Sequence, residues 1–152
     1  MRIVWQDLKN RLRLYFGVTA AFGLVCYSTF LQDIPILVAP LASSACLLFA
    51  IPEGKFARPK NVILGHALSA AVGVTTYLCM GTGWVANTVS VALAVALMDV
   101  TETMHPPAAA TALLALTTGQ GFSFVFRPVA SGACILVLAA EIVRFSLRRP
   151  KE

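Results

Sequence analysis

Asp99, Glu102 and His105 follow one another at i, i+3 and i+6, directly before the pair Pro106-Pro107. Two carboxylates one turn apart share a face if the helix persists and can hold a proton, and an imidazole titrating near neutrality can pass it on. The spacing therefore reads as a proton relay, with Asp99, Glu102 and His105 as coupling candidates. A Glu-x-x-His pair also occurs in di-metal bundles, but those sites take ligands from several helices. The chain has only two histidines, the other being His66, so no metal site is assigned and no cofactor is expected. The plainer reading of Asp99 and Glu102 is hydrated carboxylates at a membrane surface, and that of His66 is a buried imidazole bonded to a neighbouring helix. No nucleophile accompanies these groups, so the chain is read as a non-enzyme.

These side chains must be positioned by a chain of 152 residues, 58% of them apolar and only 12% charged, with a mean hydropathy of +0.78. Soluble domains average about 45–50% apolar and about 25% charged, and a domain this short needs a polar shell that this composition cannot supply. The solvent is therefore mostly lipid. Gaps between charged residues locate the spans at 14–32, 34–52, 61–98 and 103–126, followed by 128–145, which is interrupted only by Glu141 and Arg144. The third gap is twice the length of a span and divides at Gly81-Thr82-Gly83-Trp84. Six passes then place all of the twelve Lys and Arg residues except Arg127 on one face, as the positive-inside rule expects of the cytoplasmic side. The net charge of +5 thus needs no nucleic-acid partner.

The N-terminal sequence MRIVWQDLKNRLRLYFGV reads as an interfacial amphipathic helix leading into the first span, and it lacks the small-residue cleavage site of a signal peptide. Cys26, Cys46, Cys79 and Cys134 stand alone in apolar runs and read as small buried hydrophobes. Glu141 and Arg144 are three apart and should satisfy each other.

The second and fifth passes are alike. In DIPILVAPLASSACLLF, Asp33 precedes Pro40 by seven residues; in DVTETMHPPAAATALLA, Asp99 precedes Pro106 by seven. Each copy later reaches an Arg-Pro pair, Arg58-Pro59 and Arg127-Pro128. Three passes per half is an odd number, so the expected fold is an all-α membrane protein of two inverted three-helix repeats, 14–80 and 85–146, within one transmembrane domain spanning 1–152. Proline favours the first helical turn and extends the residue before it, so Ala39, His105 and Pro106 should be extended, with half-helices over 40–51 and 106–118. Their N-termini, meeting at the midplane with the hydroxyls of Ser43, Ser44 and Thr111, would suit a small anion.

The string Met104-His105-Pro106-Pro107-Ala108-Ala109-Ala110-Thr111-Ala112-Leu113 resembles the signature of the HPP family of integral membrane proteins. A second block, Ser44-Ala45-Cys46-Leu47-Leu48-Phe49 with Pro52, Arg58-Pro59, Asn61 and Gly65-His66, is similar to the family's other stretch. Ala42 and Ala109 stand where the family tends to have glycine, Arg58 where it has glutamine and Lys60 where it has arginine. The family is generally described with four spans, against six here. The resemblance implies transport, since plastid-envelope and cyanobacterial members are associated with nitrite movement. Some bacterial members are instead fused to nucleotide-sensing domains.

The expected function is a transporter or channel for a small monovalent anion, nitrite by resemblance, coupled to protons. Its anion site would comprise Ser43, Ser44, His66, His105, Pro106, Pro107 and Thr111. The alternative is a non-transporting sensor or scaffold subunit. Six short passes enclose little volume, so a homo-oligomer is expected in the bilayer of a bacterial inner (plasma) membrane, with both termini cytoplasmic. Gly17, Ala21 and Ser28 offer a small-residue face for packing within or between protomers.

Overall fold

A computed structural model describes residues 2–31 and 38–147. Among these the regular structure is all helical, in the order α1 (Arg2–Phe30), α2 (Val38–Ala50), α3 (Pro59–Met80), α4 (Trp84–Val100), α5 (Ala109–Thr117) and α6 (Ser131–Leu147). Short 3-10 turns at Lys55–Ala57 and Pro106–Ala108 lead into α3 and α5. Two helical stretches, Pro59–Met80 and Val125–Ser146, are long and apolar enough to cross a bilayer. At 1.5 Å per residue α3 is about 33 Å long, the thickness of a hydrocarbon core, whereas α2 is about 20 Å.

α3 is the central rod, packed against α4, α5 and α6, while α1 lies against α2 and α6. Its buried residues Val62, His66, Ser69, Gly73 and Thr76 recur every three or four positions. The closest approach is at Gly73, where a Cβ would stand 2.3 Å from the carbonyl oxygen of Ala112, so only glycine lets α3 and α5 meet there. Gly17 does the same for α1 and α6, with Val143 filling the space a side chain would need, and Ala21 is buried alongside it. That part of the small-residue face therefore packs within the protomer. Large apolar side chains such as Phe16, Tyr27, Trp84, Phe126, Ile142 and Phe145 point outward, as lipid-facing groups do.

Arg58 and Pro59 open α3 as expected, with Arg58 extended (φ −65°, ψ 137°) and Pro59 in the first helical turn. The turn between α3 and α4 falls at Gly81–Gly83, and both glycines there have positive φ (67° and 152°). Arg144 does more than pair with Glu141: its guanidinium also donates to the carbonyls of Leu48 (3.1 Å) and Pro52 (3.2 Å), which closes the C-terminal end of α2.

Several expectations are corrected. The N-terminal segment is helical as expected and runs without a break into the first apolar stretch, in one 29-residue helix, because nothing in it breaks the hydrogen-bond ladder. Ala39 is helical: α2 starts at Val38, so Pro40 lies in its first turn, where a missing N–H costs nothing. The lead containing Asp33 falls outside the described residues. Pro106 begins a 3-10 turn instead of extending the chain, and α5 proper runs only from Ala109 to Thr117. The cysteines are not core residues, since Cys46 and Cys79 are exposed and Cys26 and Cys134 half-buried. The second Arg-Pro pair sits inside a wide helical turn, Val125–Ala130, with Arg127 extended (φ −132°, ψ 115°) before α6 begins.

Candidate functional site

α4 ends at Val100, and the chain reverses through Thr101–Met104 before His105. The reversal is closed by backbone bonds from Glu102 to Asp99 (3.0 Å) and from Thr103 to Met98 (2.9 Å), with Glu102 left-handed at φ 53°. These two bonds form the motif that usually ends on glycine. Asp99 and Glu102 therefore do not share a helical face. Both are exposed and, with Lys55, Arg58, Asn61 and Met104, line a polar hollow of about 250 Å3.

His105 is held differently. Its backbone is extended (φ −140°, ψ 94°), as the following proline requires. Gly65 of α3 lies against it, with a Cβ there 3.0 Å from that of His105 and 3.1 Å from the Thr103 carbonyl. Asn61, one turn earlier, donates to the carbonyls of Lys55 (3.0 Å) and Met104 (3.1 Å) and so ties both approaching loops to α3. The next residue after Gly65 is His66. Glycine admits the backbone and histidine meets the side chain it brings.

The result is one chain of hydrogen bonds through four side chains of zero solvent exposure, Ser44, His66, His105 and Thr111. Ser44 Oγ lies 2.7 Å from His66 Nε2, 2.8 Å from His105 Nε2 and 3.0 Å from the Pro40 carbonyl. His66 Nδ1 is 2.7 Å from Thr111 Oγ1, and His105 Nδ1 is 2.8 Å from the Phe56 carbonyl. The two rings lie 5.1 Å apart, centroid to centroid.

The proton positions follow from this network. A carbonyl only accepts, so His105 Nδ1 carries a hydrogen and donates to Phe56. In the neutral ring His105 Nε2 must then accept, and the Ser44 hydroxyl is its only donor. Ser44 Oγ in turn accepts from His66 Nε2–H, which leaves His66 Nδ1 to accept from the Thr111 hydroxyl. The opposite direction would set two lone pairs face to face at 2.8 Å. Thr111, His66, Ser44 and His105 thus form a wire of one polarity, fixed by a backbone carbonyl.

Of the residues expected to act together, Ser44, His66, His105 and Thr111 converge. Ser43, Pro106 and Pro107 do not reach the cluster; with Cys46, Leu47, Ala50, Ile51 and Phe56 they line a groove of about 390 Å3 beside it. Phe56 and Asn61 also position the cluster, and of the two only Asn61 stands in the motif blocks. A backbone carbonyl leaves no mark in sequence, whereas Asn61, a polar residue in the first turn of an apolar helix, was a readable signal. Among the described residues no three His, Cys, Asp or Glu side chains converge as metal ligands.

Comparison with known proteins places these features in context. The family described as HPP, transmembrane region, matches residues 5–151. Two transmembrane proteins of Dictyostelium discoideum are similar. One is 37% identical over an alignment covering 98% of this chain and 49% of the relative; the other is 36% identical over 75% of this chain and 43% of the relative. The chain thus spans about half the length of the curated relatives it matches. No solved structure matches significantly.

Proposed function

The chain belongs to the HPP transmembrane family, and from that premise we propose that it is a transporter or channel for a small monovalent anion, coupled to protons through the Ser44–His66–His105–Thr111 wire. The observation that carries this reading is the wire itself. Ionisable side chains fully buried in a lipid-embedded bundle are costly, and they mark ion or proton pathways by default. Nitrite is the anion that the family resemblance implies. Ser43, Pro106 and Pro107 belong to the anion side of the proposal, in the groove next to the cluster. Asp99 and Glu102 supply protons from the polar hollow.

The helix pairings support reading the fold as two inverted three-helix repeats. Exchanging α1, α2 and α3 for α4, α5 and α6 turns the α1–α6 contact into α4–α3, α1–α2 into α4–α5, and α2–α6 into α5–α3, and every one of these pairs is in contact. Such repeats build many secondary transporters, with their sites at the repeat interface. Both termini on the cytoplasmic side, a homo-oligomeric assembly and a bacterial plasma membrane remain parts of the proposal; the relatives named above are from Dictyostelium discoideum.

Reconstitution into lipid vesicles tests it. Purified protein should admit nitrite faster than protein-free vesicles, and faster still down an inward proton gradient. Failure of well-folded protein to move nitrite, nitrate or formate overturns the reading. It would favour instead a sensor or scaffold subunit, a role that a chain spanning half of its relatives could fill, and which predicts a sealed bundle and a co-purifying partner.

A further inference from the structure

We infer that the Ser44–His66–His105 cluster binds a single proton whose charge is matched by one anion in the adjoining groove, so that transport moves one proton with each monovalent anion and no net charge. This rests on the transport reading above and adds its stoichiometry and the place of its substrate.

The heavy atoms already accommodate one more proton. In the neutral wire the Ser44 hydroxyl donates to His105 Nε2, although the Pro40 carbonyl lies within reach at 3.0 Å. A proton added at His105 Nε2 forms a new N–H there, aimed at Ser44 Oγ. The Ser44 hydrogen then swings to the Pro40 carbonyl, and Ser44 Oγ accepts from both imidazoles. His105 Nδ1–H keeps its bond to Phe56 and His66 keeps its own to Ser44 and Thr111. Every donor has an acceptor in both states, with no heavy atom displaced, because serine offers two lone pairs and a rotatable hydrogen. A second proton is opposed by the first, since two cationic rings 5.1 Å apart would repel within a medium of low dielectric.

The hydrogen bonds are complete in the protonated state, but the charge is not balanced. Among the described residues neither imidazole has a carboxylate within ion-pair distance; the one ion pair there is Glu141–Arg144. Toward the cluster, α3 presents His66 itself, α5 the Thr111 hydroxyl, and α2 the Ser44 hydroxyl and, in the groove, the Ser43 hydroxyl and the Cys46 thiol. Asp99 and Glu102 at the end of α4, and Lys55 and Arg58 before α3, are exposed and line the polar hollow, which shares Phe56 with the groove. A buried cation without a partner is strongly disfavoured, so the protonated state needs a counter-charge that the described residues do not supply.

The groove is where that charge fits. Phe56, whose carbonyl holds His105, forms part of its wall, Pro106 directly follows His105 and Ser43 directly precedes Ser44. Its lining is apolar apart from the Ser43 hydroxyl and the Cys46 thiol. A single proton matches one monovalent anion there and disfavours sulfate, whose second charge it leaves uncompensated.

The wild-type full chain, labelled with 15N-histidine in lipid nanodiscs, tests the assignment by imidazole nitrogen resonances. Without nitrite at neutral pH, one Nδ1–H and one Nε2–H neutral ring are expected. Saturating sodium nitrite should turn one ring into imidazolium and leave the other neutral. In vesicles, nitrite uptake above the protein-free background should carry one proton per anion, read by an internal pH dye, at a rate unchanged when potassium and valinomycin impose a membrane potential. Rings both neutral or both charged under nitrite, or a flux that follows the potential, overturn the one-proton assignment while leaving transport standing. Absence of any anion flux removes transport and this inference with it.

Discussion

The two proline-led segments start alike and end up with different duties. Both carry a proline in a first helical turn, both give a helical stretch of about 20 Å, and both enter a buried apolar interface. The second segment brings chemistry on its lead, at His105, and in its helix, at Thr111. The positions that match these in the first segment, counted from the prolines, are Ala39 and Ala45. His66, seven residues beyond Pro59, has Ile135 as its counterpart beyond Pro128. On the proposed repeat the helical scaffold is used twice, whereas the polar wire is built once, where Gly65 lets the chain lie against α3 and Ser44 of the first segment joins it. A helical frame can be duplicated cheaply in lipid; buried polar groups cannot, because each must find its partners.

That asymmetry can be broken most sharply at the wire. His105→Ala, and separately His66→Ala, should reduce nitrite uptake to the protein-free background. Ile135→Ala, on the quiet side, should leave a measurable flux at reduced stability. Equal losses from all three in vesicle assays would show that the wire has no special role. Adjacent serines give the next contrast. Ser44→Ala strands His66 Nε2–H and His105 Nε2, at about 1–3 kcal/mol for each unsatisfied group, and should lower the unfolding midpoint clearly. Exposed Ser43→Ala should hold within about 0.5 kcal/mol.

Packing supplies a smaller comparison. Gly73→Ala drives a Cβ into the Ala112 carbonyl and should cost about 1–3 kcal/mol. Gly132→Ala meets only the terminal Cδ1 of Leu41 at 3.0 Å, a group that can rotate away, and should cost less than about 1 kcal/mol. Thermal unfolding in detergent, followed by size-exclusion recovery, distinguishes the two. The smallest effect is expected at the end of α4, where Glu102→Gly relieves a left-handed glutamate and should gain about 0.5–1 kcal/mol. If that stabilised variant also loses proton-driven uptake, the strain is retained for the carboxylate.

Much of this molecule was legible before any coordinates. Charge-free gaps of span length gave the helix count, because a lipid core tolerates few ionisable groups, and the Gly81–Gly83 and Arg58-Pro59 boundaries followed from backbone chemistry that is local to those residues. Histidine, serine and threonine could be nominated from the same text. What sequence could not decide was partnership. Ser43 and Ser44 are neighbours of identical type, and only the rotation of α2 turns one into the wire and the other into the groove. Asp99 and Glu102 looked like one helical face until the helix ended between them. The carbonyl of Phe56, which sets the direction of the wire, and that of Pro40, which takes the Ser44 hydrogen when His105 is protonated, are groups that every residue has, and they acquire a role only when folding aims them. Sequence carries local backbone preference and the cost of charge in lipid; the meeting of groups 22, 45 or 61 residues apart is a property of packing, and packing alone created the site.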